Sequence, residues 1–171
     1  MNALFKKSLL PIVITVLLAL LTYQQYNKSN APNVTFTTIE GKKIPMSALK
    51  GKVVLVNFWA TDCSICIKEM PELVNFYNLY KHKGFEVIAV AMPDDPPAQV
   101  LNYATIKMLP FPVMHDGLAE ITKMFGDVDL TPTTFIFDKH GKLLQRTIGE
   151  INFIKLGQLL NTELSNGEVT K

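Results

Sequence analysis

Two cysteines, Cys63 and Cys66, are separated by only two residues, and the chain has no others. They follow the apolar segment VVLVNFW, which reads as a buried strand, and they open a helical pattern. Cys63 would therefore stand at a helix start, where unpaired backbone N–H groups and the helix dipole stabilise an anion. Because the thiolate is the reactive form of cysteine, this position would lower the pKa of Cys63 and activate its sulfur.

Cys66 would lie about one turn further along the same helix face. From there its thiol could attack a mixed disulfide formed at Cys63 and release the bound substrate. The C-x-x-C spacing thus supplies a nucleophile and a resolving thiol within one helical turn. We interpret the pair as a redox-active dithiol.

Three other roles are open to such a pair. A structural disulfide that closes so short a loop contributes only about 2 kcal/mol, against roughly 4 to 5 kcal/mol for a long loop. A zinc site needs about four ligands, and His82, His115 and His140 are scattered without ligand spacing. Two unrelated core cysteines would have no reason to sit at a strand end beside Trp59. The redox interpretation is favoured over all three.

The elements that position this pair follow from hydrophobic periodicity. Residues 34–45 alternate and predict a hairpin with its turn at residues 40–42. Val53 to Trp59 is apolar on both faces, as a central strand covered on both sides must be. A helix is predicted from Cys63 to about Lys81, and FEVIAVAM predicts a second strand, parallel to the first and beside it.

The second half of the chain continues this alternation of elements. It predicts a helix to about Met108, a short extended piece, a short helix at Leu118 to Phe125, a hairpin with its turn at residues 138–141, and a closing helix at Phe153 to Leu164. The order βαβ, helix, ββα is the layout of a thioredoxin-like α/β domain, with a central mixed sheet flanked by helices. The leading hairpin is then an N-terminal extension, and residues 96–114 are a central insertion.

An uncharged apolar run lies near the N-terminus, between two lysines and a polar, Asn-rich stretch. It is shorter than the roughly 20 residues of a full membrane span, but flanking lysines can snorkel and a bilayer can thin. A cleaved signal peptide would need small residues in an A-x-A-like arrangement, and only Ala19 stands where that site should fall. An uncleaved anchor is favoured. The chain accordingly divides into a cytoplasmic N-terminus (1–7), a transmembrane signal anchor (8–23), a linker (24–33) and the thioredoxin-like domain (34–171).

The charge of the chain excludes one class of partner. The 17 lysines and arginines include Lys6 and Lys7, so residues 24–171 carry 15 basic side chains against 15 acidic ones. This balance gives no electrostatic footprint for nucleic acid. The positive-inside rule places the two leading lysines in the cytoplasm and the rest of the chain outside it.

The segment NFWATDCSICIKEMPEL resembles the active-site segment of the TlpA/ResA-like thioredoxin family, which comprises membrane-anchored, extracytoplasmic thiol-disulfide oxidoreductases. The likeness covers about residues 34–165 and includes the apolar anchor. It implies that Cys63 is the attacking thiol, that Cys66 is the resolving thiol, and that Glu69 manages protons near the pair. The alternative for Glu69 is a solvated helix carboxylate like Glu72.

A second match to this family is the segment DLTPTTFIF. In the family, a cis-proline opposite the cysteine pair exposes backbone groups with which a substrate pairs as an extra strand. Thr131 and Pro132 resemble that element, and together with Trp59 they are the expected substrate-binding residues. The alternative is an ordinary trans proline that opens a strand. The family also has a proline at the position of Pro71, which should kink the helix.

Two features depart from the family pattern. Asp62 replaces the frequent aromatic residue before the first cysteine, and its charge should raise the pKa of Cys63 and oppose the helix dipole. Ser64 and Ile65, between the cysteines, lack the common proline. Both departures bear on the reduction potential, so the cysteine motif alone leaves the direction of electron transfer open.

The resemblance implies an enzyme held at the bacterial inner membrane by its N-terminal helix, with its catalytic domain on the periplasmic or extracytoplasmic side. It would reduce disulfides in exported proteins, with apocytochrome c as the expected substrate class. A membrane electron donor of the CcdA or DsbD type would re-reduce it, and neither a cofactor nor a metal is expected. The alternatives are a DsbA-like oxidase or isomerase and a copper-binding assembly factor. A peroxiredoxin is disfavoured because NFWATDC lacks the proline of the peroxidatic motif.

Overall fold

The structure is a computed structural model that describes residues 11–20 and 30–165. The chain divides into two compact units, Met1–Asn30 and Ala31–Lys171. In the first unit, residues 11–20 form helix α1. No helix within the described residues is both long enough and apolar enough to cross a membrane.

The predicted segments near the N-terminus fall largely beyond these residues. Segment 1–7 and most of the linker 24–33 lie outside the described residues, as do both ends of the anchor 8–23. Their assignments stay predictions.

The second unit is built on a five-stranded sheet and a separate two-stranded sheet. This mixed sheet with flanking helices confirms the predicted thioredoxin-like fold. The strands are β1 (Thr35–Thr37), β2 (Lys43–Pro45), β3 (Val53–Trp59), β4 (Phe85–Ala91), β5 (Val113–His115), β6 (Thr133–Phe137) and β7 (Leu143–Ile148). The helices are α2 (Ser64–Tyr80), α3 (Pro97–Ile106), α4 (Glu120–Met124) and α5 (Phe153–Ser165).

The centre of the sheet is β3, and all seven of its residues are buried. It pairs in parallel with β4 on one side and antiparallel with β6 on the other. This confirms the prediction that an apolar segment without alternation is a central strand. Because β3 is held on both sides, its carboxyl end gives a fixed base for the loop that leads into α2.

The two predicted additions to the fold are also found. The β1–β2 hairpin pairs Phe36 with Ile44, and the insertion supplies α3 and β5. Strand β5 pairs in parallel with β4 and so extends the sheet at that edge.

Successive residues of β3 point to opposite faces of the sheet. We call one side the redox face, onto which Leu55, Asn57 and Trp59 project. It is covered by α2, α3 and α5, and its apolar cluster includes both cysteines. The other side, the aromatic face, receives Val56 and Phe58. It is covered by the hairpin and by residues around α4, and its cluster is rich in phenylalanine.

Candidate active site

Cys63 and Cys66 form a disulfide, with their two sulfur atoms 2.12 Å apart. Cys63 is the N-cap of α2, and its Sγ accepts a hydrogen bond from the Cys66 N–H at 3.2 Å. Cys63 is partly exposed, whereas Cys66 has no exposed surface. A reagent from solution therefore meets Cys63 before it can meet Cys66.

The start of α2 suits a negative charge on the outer sulfur. The first turn of the helix contains no acidic side chain, and a helix start leaves backbone N–H groups without intrahelical partners. Asp62, which directly precedes Cys63, is exposed to solvent. Its predicted effect on the pKa of Cys63 stays a prediction.

Glu69 lies one turn beyond Cys66 on α2 and is only 3% exposed. Its Oε2 accepts the Ile151 N–H at 3.0 Å, and its Oε1 accepts from Asn57 Nδ2 at 3.4 Å. Burial raises the pKa of Glu69 above its ordinary value of 4.5, the hydrogen bonds from Ile151 and Asn57 oppose that rise, and the nearby charge of Glu150 adds to it. The alternative of a solvated helix carboxylate is therefore wrong for Glu69, whereas Glu72 is indeed exposed.

The buried carboxylate belongs to a short polar chain that the sequence analysis missed. The Asn57 amide donates both to Glu69 and to Thr134 Oγ1, the latter at 3.1 Å, and Asn57 and Thr134 are both buried. The signal in the sequence was a single amide inside the otherwise apolar strand VVLVNFW. Buried amides need partners, so Asn57 pointed to a polar group on a neighbouring element.

The Thr131–Pro132 peptide bond is cis, as the resemblance implied. Phe58 pairs with Thr133 across β3 and β6, so this peptide lies beside the end of β3 from which the cysteine loop departs. The Pro132 carbonyl accepts the Gly149 N–H at 2.8 Å. The backbone N–H and C=O of Thr131 make no hydrogen bond within the described residues, and Thr131 is partly exposed. An extended peptide could pair with these two groups.

The structure corrects the expected role of Trp59. Its side chain has no exposed surface, so it offers nothing for a substrate to contact. It packs in the cluster that contains both cysteines, and its ring centroid lies 5.3 Å from that of Tyr103. The indole Nε1 is buried and has no hydrogen-bond partner in the described part of the chain. Trp59 is thus part of the buried core beneath the cysteine loop.

The loop between β3 and the cysteines is tied down by a contact that sequence reasoning also missed. The carboxylate of Asp95, which is 5% exposed, accepts the Thr61 N–H at 2.7 Å and the Thr61 hydroxyl at 2.5 Å. The Met92 N–H also donates to the Trp59 carbonyl at 2.9 Å. These contacts fix the residues that precede Cys63. The two ends of the Thr61–Asp95 bond are 34 residues apart, which no local pattern reveals.

The histidines lie away from the cysteine pair in the sequence, and their surroundings differ. His140 is exposed in the β6–β7 turn. His115 is half-buried at the end of β5, and its Nε2 is enclosed without a partner among the described residues. In residues 11–20 and 30–165, no three His, Cys, Asp or Glu side chains are grouped so that they could hold a metal ion.

Comparisons with known proteins agree with this geometry. Residues 27–160 match the model of the redoxin family. Thiol-disulfide oxidoreductase ResA of Bacillus thuringiensis subsp. konkukian is 45% identical over 120 residues, which are 70% of this chain and 68% of that protein. ResA of Bacillus subtilis is 32% identical over 87% of this chain and 88% of its own length. A thioredoxin-family thiol:disulfide interchange protein of Chlorobium tepidum superposes with a TM-score of 0.72 and 27% identity, covering 80% of this chain and 96% of that one.

Proposed function

Starting from the fact that this chain belongs to the redoxin family and is a ResA-like thiol-disulfide oxidoreductase, we propose that it reduces disulfides of exported proteins. The observation that carries the exchange mechanism is the unequal exposure of the two sulfurs at the start of α2, whereas the reductive direction rests on the family resemblance. An exposed sulfur can form a mixed disulfide with a protein, while a buried neighbour can only act in resolving it.

The proposed cycle begins with the reduced dithiol. The Cys63 thiolate attacks one sulfur of a substrate disulfide, a new S–S bond forms, and the first substrate thiolate leaves. Cys66 then loses its proton and attacks the sulfur of Cys63, and the second substrate thiolate leaves. Two electrons pass to the substrate, which becomes a dithiol, and the enzyme ends in the disulfide form of this structure.

In this proposal, Glu69 handles the proton of Cys66. The two residues share a face of α2, three positions apart, and both are buried. A group whose pKa is raised toward neutrality exchanges protons more readily under physiological conditions than an ordinary carboxylate does. Burial raises the pKa of Glu69 in that direction, and the Asn57 and Ile151 donors orient its two oxygens.

The substrate would bind as an extended segment against Thr131. The free backbone groups of this residue offer one donor and one acceptor. Apolar side chains of Ile65, Leu130 and Ile148 are 44%, 55% and 57% exposed, respectively. Ile65 lies between the cysteines, and the other two flank the cis peptide along the chain and across the β6–β7 pairing. Such a surface suits unfolded or flexible chains that display apolar side chains.

The cellular setting is part of the same proposal. The apolar run at residues 8–23 would anchor the enzyme in the bacterial inner membrane, with the catalytic domain on the extracytoplasmic side. Apocytochrome c would be a substrate, and a membrane protein of the CcdA or DsbD type would return the enzyme to the dithiol form. The family resemblance supports these assignments, as do the two lysines that precede the run.

Trapping of substrates tests the proposal directly. With Cys66→Ala, the mixed disulfide cannot be resolved, so covalent adducts at Cys63 should accumulate on exported cysteine-containing proteins. The matched control is Cys63→Ala, which leaves only the buried thiol and should trap nothing. Equal trapping by both variants would contradict the assigned roles.

A redox titration of the wild-type protein tests the direction. A reductase requires a potential well below the roughly −120 mV of the oxidant DsbA. A potential near that value would instead favour the oxidase function.

A further inference from the structure

We propose that the end of the domain opposite the cysteine pair is a binding surface for anionic lipid headgroups, and that it holds the catalytic end away from the membrane. The inference rests on the membrane anchoring proposed above. We call this surface the basic end. It comprises the three connections at residues 50–52, 81–83 and 139–142.

The sheet brings these three connections together. Residues 50–52 precede β3 and residues 81–83 precede β4, and the two strands are parallel. Strand β6 is antiparallel to β3, so the β6–β7 turn lies at the same end. Backbone bonds join the connections directly: the Gly51 N–H donates to the Lys139 carbonyl at 2.8 Å, and the Val53 N–H donates to the Gly84 carbonyl at 2.9 Å.

The basic end carries a surplus of positive charge. It contains six lysines, all at least partly exposed: Lys50, Lys52, Lys81, Lys83, Lys139 and Lys142. Only Lys52 has a carboxylate partner among the described residues, Glu86 at 2.7 Å. The other acidic side chains here are Asp138, whose Oδ1 accepts two backbone N–H groups of its own turn, and Glu163 near the end of α5.

The surface also has a recess that suits a headgroup. A groove of about 830 Å³ lies between the connections. Lys83, Lys139 and His82 contribute cationic or polar groups to its lining, while Tyr80 and Leu164 contribute apolar surface. Phosphate oxygens could reach the ammonium groups at the rim while the glycerol carbons contact the apolar residues.

Exposed acidic side chains are grouped at the catalytic end, where the exposed Lys68 is paired with Glu150 at 3.3 Å. Four aspartates on the loops around the cysteine pair and the cis peptide are exposed: Asp62, Asp94, Asp127 and Asp129. An anionic bilayer would therefore repel this end and attract the other.

The path of the chain points the same way. The Ala31 N–H donates to the Gly141 carbonyl at 2.7 Å, so the domain starts at the β6–β7 turn of the basic end. Residues 24–30 connect the predicted anchor to Ala31. The chain thus enters the domain at its basic end.

Lysine footprinting of the full chain in lipid nanodiscs tests this surface. One preparation contains only phosphatidylcholine, and the other contains phosphatidylcholine with phosphatidylglycerol. We expect acetylation of Lys50, Lys83 and Lys142 to be about tenfold slower in the anionic nanodiscs than in the neutral ones. Lys123 and Lys155, on α4 and in the first turn of α5, are exposed internal controls whose rates should not differ. Equal rates for the basic-end lysines in the two lipids would overturn the proposal.

A charge reversal provides the matched control. In Lys83→Glu/Lys142→Glu, the protection of Lys50 in anionic nanodiscs should be lost, whereas Lys123→Glu/Lys155→Glu should retain it. Co-elution with neutral nanodiscs reports on the anchor separately. If the chain binds neutral discs but its basic-end lysines are equally reactive in both lipids, the result supports the anchor and contradicts the headgroup surface. Binding to anionic discs only, with Lys50, Lys83 and Lys142 protected, would support the headgroup surface and contradict the anchor. Binding to neither kind of disc would contradict both proposals.

Discussion

The two faces of the central strand β3 are both packed with apolar side chains, but the groups that meet neighbouring residues of the strand differ. Phe58 projects into the aromatic face, where it meets Phe125 and Phe135 edge to face with ring centroids 5.2 and 5.8 Å apart. Asn57, the preceding residue, projects into the redox face and donates to the buried Glu69. One step along the strand thus separates a dry aromatic cluster from a buried titratable group.

This difference suggests that the two faces have different roles. Aromatic packing is favourable at every pH within the range of folding, and it does not respond to the redox state. A buried carboxylate costs stability when it is ionised, because burial removes its hydration. We infer that apolar packing on both faces stabilises the fold, and that the redox face also holds the groups that chemistry requires. The predictions below test this separation.

The largest effect is expected for Phe135→Ala on the aromatic face. Phe135 is 5% exposed and contacts three other phenylalanines, so the change should lower the free energy of unfolding by about 3 to 5 kcal/mol. Urea unfolding measures this loss. The reduction potential of the folded fraction should stay unchanged, and a potential that shifted with stability would break the proposed separation.

The next effect belongs to Glu69→Gln on the redox face. Without a carboxylate to take the proton of Cys66, disulfide exchange should slow by about a hundredfold, while the amide keeps the shape of the side chain. Stopped-flow reduction of a model disulfide over a range of pH measures the rate. Glu72→Gln is the matched control on the exposed side of the same helix. Equal rates for the two variants would remove Glu69 from the mechanism.

A smaller effect is expected from reducing the disulfide itself. It closes a loop with a sequence separation of 3, so chain entropy predicts that the reduced protein is less stable by only about 2 kcal/mol. Denaturant unfolding of the oxidised protein and of the same sample with excess dithiothreitol gives the difference. A reduced form more stable than the oxidised one would mark the protein as an oxidant and contradict the proposed direction.

Loss of the outer member of the polar chain should cost less again. Thr134→Val removes the hydroxyl that accepts from Asn57, and one neutral hydrogen bond of this kind contributes about 1 kcal/mol. The pH profile of disulfide exchange should move as well, because Asn57 would be held less firmly against Glu69. A substitution that lowers stability without moving the profile would show that Thr134 serves packing alone.

The last prediction is a slope in stability against pH. Burial raises the pKa of Glu69 above 4.5, so the folded protein keeps this proton to a higher pH than the unfolded chain does. The contribution of Glu69 is fully present below its unfolded pKa and is lost as pH rises through its folded pKa. Urea midpoints measured upward from pH 4 should therefore fall in the wild type relative to Glu69→Gln. Parallel curves would mean that the pKa of Glu69 is not raised.

The strands and helices of the domain were predictable because their signals are local. An apolar run without alternation identified β3, and the alternating residues around it identified the hairpins. The partners of the site were not predictable in this way. The sequence left open a solvated Glu69 as the alternative, since the residues that bury it come from other elements, and Ile151, which donates to it, is 82 residues away.

Trp59 shows the same limit of sequence reasoning, because a side chain expected to contact substrate is buried. Its position beside the cysteines suggested contact with substrate, but the tertiary fold places its ring inside the core. Neither the strand pattern nor the motif states which elements cover a given face. Only the packing of α3 onto the sheet, through Tyr103, determines that the ring is enclosed.

Cys63 Sγ is the reactive atom, and it also caps the start of α2 by accepting a hydrogen bond from the Cys66 N–H. A thiolate accepts such a bond strongly, whereas sulfur in a disulfide is a weak acceptor. Each turnover should therefore loosen and retighten the first helical turn in step with the charge on one sulfur. The cap is therefore weak in both disulfide forms and strong only in the reduced enzyme that awaits its substrate.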